Sequence, residues 1–178
     1  RNWGSVKFRL KLSAEVYVGL GANLGDPQST FEKALNLIEE FCQIVSVSKL
    51  YHSAPWGVLD QPPFINAAAR LSTKLPPDIL IHKFQETERK LGKKVIHKNG
   101  PRRIDIDILL YGDLSIETKD LVLPHPRILE RDFVLCPLLD LNPRLYHPTW
   151  GNQTLKSALD RLQEKFVQKE PVSWARKL

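Results

Sequence analysis

The stretch GPRRIDIDILLYG, residues 100–112, decides how the rest of the chain is read. Side chains of a strand alternate between its faces, so Ile104, Ile106 and Ile108 share one face while Asp105 and Asp107 share the other. The two carboxylates are therefore neighbours. Like charges at that separation repel and push one pKa upward unless a cation lies between them or water reaches both. Two readings stay open from the alternation alone. Either the face is wet and the aspartates are solvated, or the pair clamps a hard, oxygen-seeking cation carrying phosphates, with Arg102 and Arg103 beside it for the remaining anionic charge.

Working outward, residues 15–20 read as a strand, and GLGANLGD turns into a helix capped by Asp26, with Pro27 at its first position. Phe31, Ala34, Leu35, Ile38 and Phe41 recur along that helix at helical spacing. Residues 44–51 are β-branched and alternating, and FINAAARLST reads as a third strand. Pro76, Pro77 and Asp78 open a second helix whose buried stripe is Leu80, Phe84 and Leu91 and whose stop is Gly92. The aspartate strand closes the series. The order strand, helix, strand, strand, helix, strand predicts an α+β, ferredoxin-like βαββαβ core, an antiparallel sheet with helices packed over one face. Residues 131–141 and 154–166 are expected as extra C-terminal helices, the second capped by Asn152. Residues 1–14 read as an N-terminal extension, 15–168 as the domain, and 169–178 as a tail or linker.

A chain of 178 residues, 42% hydrophobic, suits one packed domain. No apolar run has membrane-spanning length. Cys42 and Cys136 have no ligand-type spacing, which favours two thiols in a reducing compartment and disfavours zinc. The expected location is therefore cytoplasmic. An organelle matrix stays open, because the chain starts at Arg1 and contains no Met. The net charge of +6 points to an anionic partner, and RKLGKKVIHKNGPRR concentrates that charge just before the aspartates.

GLGANLG follows a strand and precedes a helix, but Leu24 stands where a dinucleotide fingerprint needs its third glycine, so tight-turn geometry with a tolerant Asn23 is the better account. No GKS or GKT phosphate loop is present. Phe64 and Asn66 share a strand face and could offer a ring and an amide to a planar heterocycle. Gln85 and Glu88 share a helix face, ordinarily a solvated one. LPHPRILERDF gathers His125, Arg127, Arg131 and Phe133 in one short loop, a phosphate grip in form.

Taken in order, GLGANLGD, YHSAPWGVLDQPPFINAA, GPRRIDIDILLYG and LPHPRILERDFVLCPL resemble the 6-hydroxymethyl-7,8-dihydropterin pyrophosphokinase family of folate biosynthesis, from about residue 16 to 159. The resemblance implies a transferase that moves the β,γ-diphosphate of ATP to the pterin's hydroxymethyl group and releases AMP. It implies two magnesium ions on Asp105 and Asp107, with Arg102 as a third catalytic residue. It places ATP against Gln85, Glu88, Lys93, Lys98, Arg102, Ile108, His125 and Arg131, with Arg102, His125 and Arg131 neutralising phosphate charge. The pterin would lie between Phe64 and Phe133, read by Asn66 and bordered by Ser53, Ala54 and Trp56. Fusion to or association with dihydropteroate synthase is a further implication. Members often carry arginines before GPR, where this chain has Lys93, Lys94 and Lys98, which supply charge without a bidentate fork. Residues 92–99 are expected to be a mobile loop that closes over ATP. A single-strand RNA-binding module shares the element order and the basic charge, but its sheet would not present two aspartates to phosphate, so no nucleic-acid partner is expected. A regulatory domain without chemistry leaves the arginines, carboxylates and heterocycle wall unexplained together.

Overall fold

In the computed structural model, residues 12–94 and 98–174 are described. Strand β1 (Ala14–Ala22) leads to Asp26, whose carboxylate accepts the Ser29 amide at 3.2 Å and caps α1 (Pro27–Ile38). Proline is harmless at a helix start, where its missing N–H has no intrahelical acceptor. The strand expected over residues 44–51 is two strands, β2 (Gln43–Val47) and β3 (Tyr51–Ser53), both antiparallel to β4 (Phe64–Thr73). Ser48 breaks the run: its hydroxyl accepts the Ala68 amide at 2.8 Å and donates to the Lys49 carbonyl at 2.7 Å, so a side chain takes over from the ladder. Helix α2 (Pro77–Lys90) ends where expected, since Gly92 has φ 86°, a left-handed value that suits glycine at a helix C-terminus. Strand β5 (Asp105–Tyr111) closes the core, and β6 (Ile116–Glu117) with β7 (Val122–Leu123) forms a small outlying ladder.

The strand order β2-β4-β1-β5, antiparallel throughout, is the ferredoxin-like arrangement. On one face Val16, Val18, Leu20, Ile104, Ile106 and Ile108 pack with Phe31, Leu35, Leu80 and Phe84 of the first two helices. The other face is covered as well, but only in part. Tyr17, Ala68, Leu109 and Leu110 lie in a second cluster with Leu135 and Leu138 of α3 (Asp132–Leu141) and Leu155 of α4 (Leu155–Arg161). A register shift between Tyr17 and Val18 leaves an extra residue in β5, so that consecutive Leu109 and Leu110 both join this cluster.

The last helix differs from expectation at both ends. Thr154, not Asn152, caps it, its hydroxyl accepting the Ser157 amide at 3.0 Å while the Ser157 hydroxyl accepts the Thr154 amide at 2.9 Å. The helix stops at Arg161 rather than 166, and the chain then runs antiparallel to β3 through bridges Ser53–Val167 and Leu50–Val172. Trp174 is 7% exposed, meets Phe31 edge-on at 6.2 Å and donates to the Ser48 carbonyl at 2.7 Å. Packing therefore continues through the first residues of the segment expected as a tail or linker. Residues 1–11 of the expected extension and 175–178 of the tail lie outside the described residues.

Candidate active site

The part of the second sheet face that α3 and α4 leave bare is the floor of a cavity of about 110 Å³. Gly19 and Gly21 of β1 lie there, paired with Asp107 and Asp105 of β5, and on its other side Gly21 pairs with Asn66 of β4. A Cβ at Gly21 would stand 3.4 Å from the Asn66 Oδ1, so glycine keeps the floor open between amide and carboxylates. Asn66 is 8% exposed and donates its Nδ2 to the Ser53 hydroxyl at 2.6 Å, which fixes which way the amide points. Phe64, Ser53, Ala54 and Trp56 form one wall; Arg131, Phe133 and His125 form another, and Arg102 closes the rim.

The two aspartates sit in different company. Asp105 accepts Arg102 Nη1 at 2.5 Å and pairs with Lys93 Nζ at 2.7 Å. That same ammonium lies 2.6 Å from Glu88, whose buried carboxylate also accepts the Ile106 amide at 3.2 Å. Burial alone would lower the Lys93 pKa, but the two carboxylates outweigh it and hold the ammonium above the usual lysine range. Burial likewise pushes the Glu88 carboxyl up, against the pull of Lys93. The Asp107 carboxylate has no hydrogen bond or ion pair among the described residues, its backbone being paired with Gly19 of β1. It opens into the cavity from the β5 floor. Loss of surrounding solvent, then repulsion from Asp105 and Glu88, pushes it up to about 7.

That donor set can be matched to a cation. Among the described residues no three His, Cys, Asp or Glu side chains gather as ligands, which is unlike a closed zinc site. Two neighbouring carboxylates facing an open cavity suit magnesium, which keeps waters and takes phosphate oxygens for its remaining positions. Lys93 and Arg102 already crowd Asp105, whereas no side-chain cation pairs with Asp107 among the described residues.

The guanidinium groups lie on the aromatic walls. Arg102 is 5.1 Å from the Phe64 ring centroid, and Arg131 is 5.1 Å from that of Trp56 and 5.6 Å from that of Phe133. The Arg131 Nε is buried with no hydrogen-bond partner among the described residues, a donor without an acceptor at the cavity wall. His125 differs from its expected part as a cation. Burial, then Arg131 and Arg127, lower its pKa to about 4, so the ring is neutral at neutral pH. Its Nδ1 accepts the Arg127 amide at 3.2 Å, which leaves the proton on Nε2.

A cavity joining carboxylates, arginines and aromatic walls on a ferredoxin-like sheet can now be set beside known proteins. Residues 17–143 match the family described as 7,8-dihydro-6-hydroxymethylpterin-pyrophosphokinase (HPPK). The chain belongs to the HPPK family. Among its curated relatives, the 2-amino-4-hydroxy-6-hydroxymethyldihydropteridine pyrophosphokinase of Aquifex aeolicus is 44% identical over 137 residues, covering 77% of this chain and 86% of the relative. The folic acid synthesis protein FOL1 of Dictyostelium discoideum is 42% identical over 75% of this chain, which spans 20% of that protein. A mitochondrial folate synthesis bifunctional protein of Arabidopsis thaliana is 44% identical over 71% of this chain, which spans 23% of it. The wild-type Plasmodium falciparum HPPK-DHPS structure superposes with TM-score 0.68 at 16% identity over 83% of this chain and 44% of that one, a likeness of fold.

Of the residues that the HPPK resemblance singled out, the cavity brings together Ser53, Ala54, Trp56, Phe64, Asn66, Arg102, Asp105, Asp107, His125, Arg131 and Phe133. Gln85 and Lys98 do not line it, and Glu88 and Lys93 stand behind Asp105. Ile108 is 3% exposed in the core on the opposite face from Asp107, so its side chain is a packing residue and offers nothing to the cavity. The expected mobile loop falls partly on residues 95–97, outside the described residues. Asn23 proves to be a hydrogen-bond hub rather than a tolerant turn residue. Its Oδ1 accepts the Arg102 amide at 2.9 Å, and its Nδ2 donates to Gln61 Oε1 at 3.0 Å and the Pro62 carbonyl at 2.9 Å. Gln61 in turn donates to the Asn99 carbonyl at 2.8 Å, joining three loops. The left-handed residue is Asn99, φ 58°. An amide residue in each of two loops, Asn23 and Gln61, is the signal the sequence offers, and neither names its partner.

Proposed function

We infer that the chain transfers the β,γ-diphosphate of ATP to the hydroxymethyl group of 6-hydroxymethyl-7,8-dihydropterin, giving the pterin diphosphate and AMP for folate biosynthesis. The observation that carries the reading is that the Asp105–Asp107 pair and the Phe64–Asn66–Phe133 wall open into one cavity. A phosphate-handling group and a heterocycle wall are then within reach of a single substrate pair.

In the reaction the hydroxymethyl oxygen bonds to the β-phosphorus as the bond from that phosphorus to the α,β-bridging oxygen breaks. The electron pair leaves with AMP, and the hydroxyl proton is lost to solvent. Asp105 and Asp107 would hold two magnesium ions, which supply charge neutralisation and orientation to the triphosphate. Arg102 and Arg131 carry fixed positive charge toward the phosphates, and His125 donates a neutral hydrogen bond through Nε2. Phe64 and Phe133 stack on the pterin, and Asn66, oriented by Ser53, reads its polar edge. Ala54 and Trp56 border it. Lys93 sets the position of Asp105 from the Glu88 side, and Gln85, Lys98 and the backbone at Ile108 belong to the nucleotide's approach.

We place the domain at residues 15–168 with the following strand packed on it, and take fusion to or association with a DHPS enzyme as the natural context, as in the HPPK-DHPS relatives. Among the described residues no helix is long and apolar enough to cross a membrane, and Cys42 and Cys136 are free thiols, which fits the cytoplasm. The direct test supplies ATP, magnesium and the reduced hydroxymethylpterin and follows AMP and pterin diphosphate. Equal amounts of the two are expected; no AMP above the pterin-free background would remove the reading.

A further inference from the structure

The family match ends at residue 143, yet a ring well beyond it stands behind the cavity. Phe166 lies 5.3 Å from the Trp56 ring and 5.9 Å, edge-on at 88°, from the Phe133 ring. It therefore touches both walls of the heterocycle pocket from outside, without lining the pocket itself. Its backbone is fastened to the same two walls. The Phe166 carbonyl accepts the Ala54 amide at 2.8 Å, Val167 bridges Ser53, and the Gln168 amide donates to the His52 carbonyl at 2.9 Å. On the other side one oxygen of Asp132 accepts the amides of Phe166 at 2.8 Å and Val167 at 2.9 Å. Asp132 is 2% exposed and is flanked in sequence by Arg131 and Phe133, both at the cavity.

We propose that residues 166–168 are a strap that sets the width of the pterin pocket, with Phe166 as a positioning residue for Phe133 and for the Ser53–Trp56 wall. The proposal rests on the function inferred above and deepens it. Walls 77 residues apart in sequence, as Trp56 and Phe133 are, have no covalent reason to keep a fixed separation, and Phe166 is in contact with both. A buried carboxylate with two amides on one oxygen and none on the other is a poor bargain for stability alone, since Asp132 Oδ1 has no hydrogen-bond partner among the described residues. What the arrangement secures is the seat of Phe166, and through it the facing of two aromatic walls. The carboxylate side is joined elsewhere: Asp105, Lys93 and Glu88 are tied to one another, to Arg102 and to the Ile106 amide, and among the described residues none of them has a hydrogen bond or ion pair with residues 166–168.

The test uses the full chain and the variants Phe166→Ala and Phe166→Leu. In Phe166→Ala the KM for hydroxymethyldihydropterin should rise about 10-fold, as expected when a ring contact that holds a stacking partner is lost. The dissociation constant of a nonhydrolysable ATP analogue with magnesium, and kcat at saturating pterin, should stay within about twofold of wild type. Phe166→Leu, which fills most of the volume without the ring, should give a smaller rise of about threefold. Pterin KM values within twofold of wild type in both variants overturn the strap, as does an equal loss for pterin and nucleotide. Should Phe166→Ala not melt cooperatively, Phe166→Leu decides by the same two criteria. A wild-type chain that releases no AMP would fault the functional reading itself, a result distinct from either outcome for the strap.

Discussion

Lys93 holds its ammonium 2.7 Å from Asp105 and leaves the carboxylate of Asp107, two residues along on the same face, without a hydrogen bond or ion pair among the described residues. The two carboxylates of one motif thus have unlike roles in the free protein. Asp105 is tied into a charge network, and Asp107 waits in the cleft.

Asp105→Ala should accordingly cost about 1–2 kcal/mol of stability, because it takes the carboxylate partner from a half-buried Arg102 and leaves Lys93 with Glu88 alone. Asp107→Ala should leave stability within about 0.5 kcal/mol of wild type, since its carboxylate makes no hydrogen bond or ion pair among the described residues and sits where its charge is disfavoured. Both should lower kcat by about 100-fold or more, a range fitting loss of a metal ligand. Urea unfolding beside steady-state rates separates the two effects.

Phe64→Ala and Phe133→Ala should each weaken pterin binding by about 1–3 kcal/mol. Binding of the ATP analogue should change by less than about 0.5 kcal/mol. Titration calorimetry with each ligand checks this; equal losses for both would return these rings to a general packing role.

His125 should titrate near 4 in the free protein, well below the ordinary histidine value of 6.5. The unfolded chain binds the proton first as pH falls, so this group's contribution is complete above about 6.5 and is lost as the pH drops through 4. The loss should reach about 1–3 kcal/mol. Histidine ring NMR shifts, with a His125→Asn variant whose stability profile is flatter between those values, measure it.

Asn23→Ala should destabilise the fold by about 2–3 kcal/mol, since three hydrogen bonds from a buried amide disappear together. Because one of them fixes the Arg102 amide, the KM for ATP should rise with it. Hydrogen exchange at Arg102 should speed up in the variant; unchanged protection there would detach Asn23 from the site.

The strand FINAAARLST is found as β4 over the same ten residues, and the isoleucine–aspartate alternation of β5 reads through directly to core and cleft. Local patterning sufficed there because each face has one environment. It failed where a distant partner decides. Ser48 looks like a strand residue until Ala68 offers its amide, and residues 162–166 look helical until Phe166 finds Trp56 and Phe133. Asn23 and Arg102 meet across 79 residues, a separation no periodicity reports. The second helical layer escaped for the same reason: an amphipathic helix shows that it covers something, not which side of the sheet.

Strand β1 is a partition wall with a different tenant on each side. Val18 and Leu20 belong to the core, and Gly19 and Gly21, interleaved with them, belong to the cavity floor. Alternation of period two means that adding or deleting one residue there would swap the tenants, driving leucine into the cavity and leaving holes the size of the lost valine and leucine side chains under α1 and α2. Stability and chemistry in this chain are thus written in the same reading frame, and neither can drift along β1 without the other.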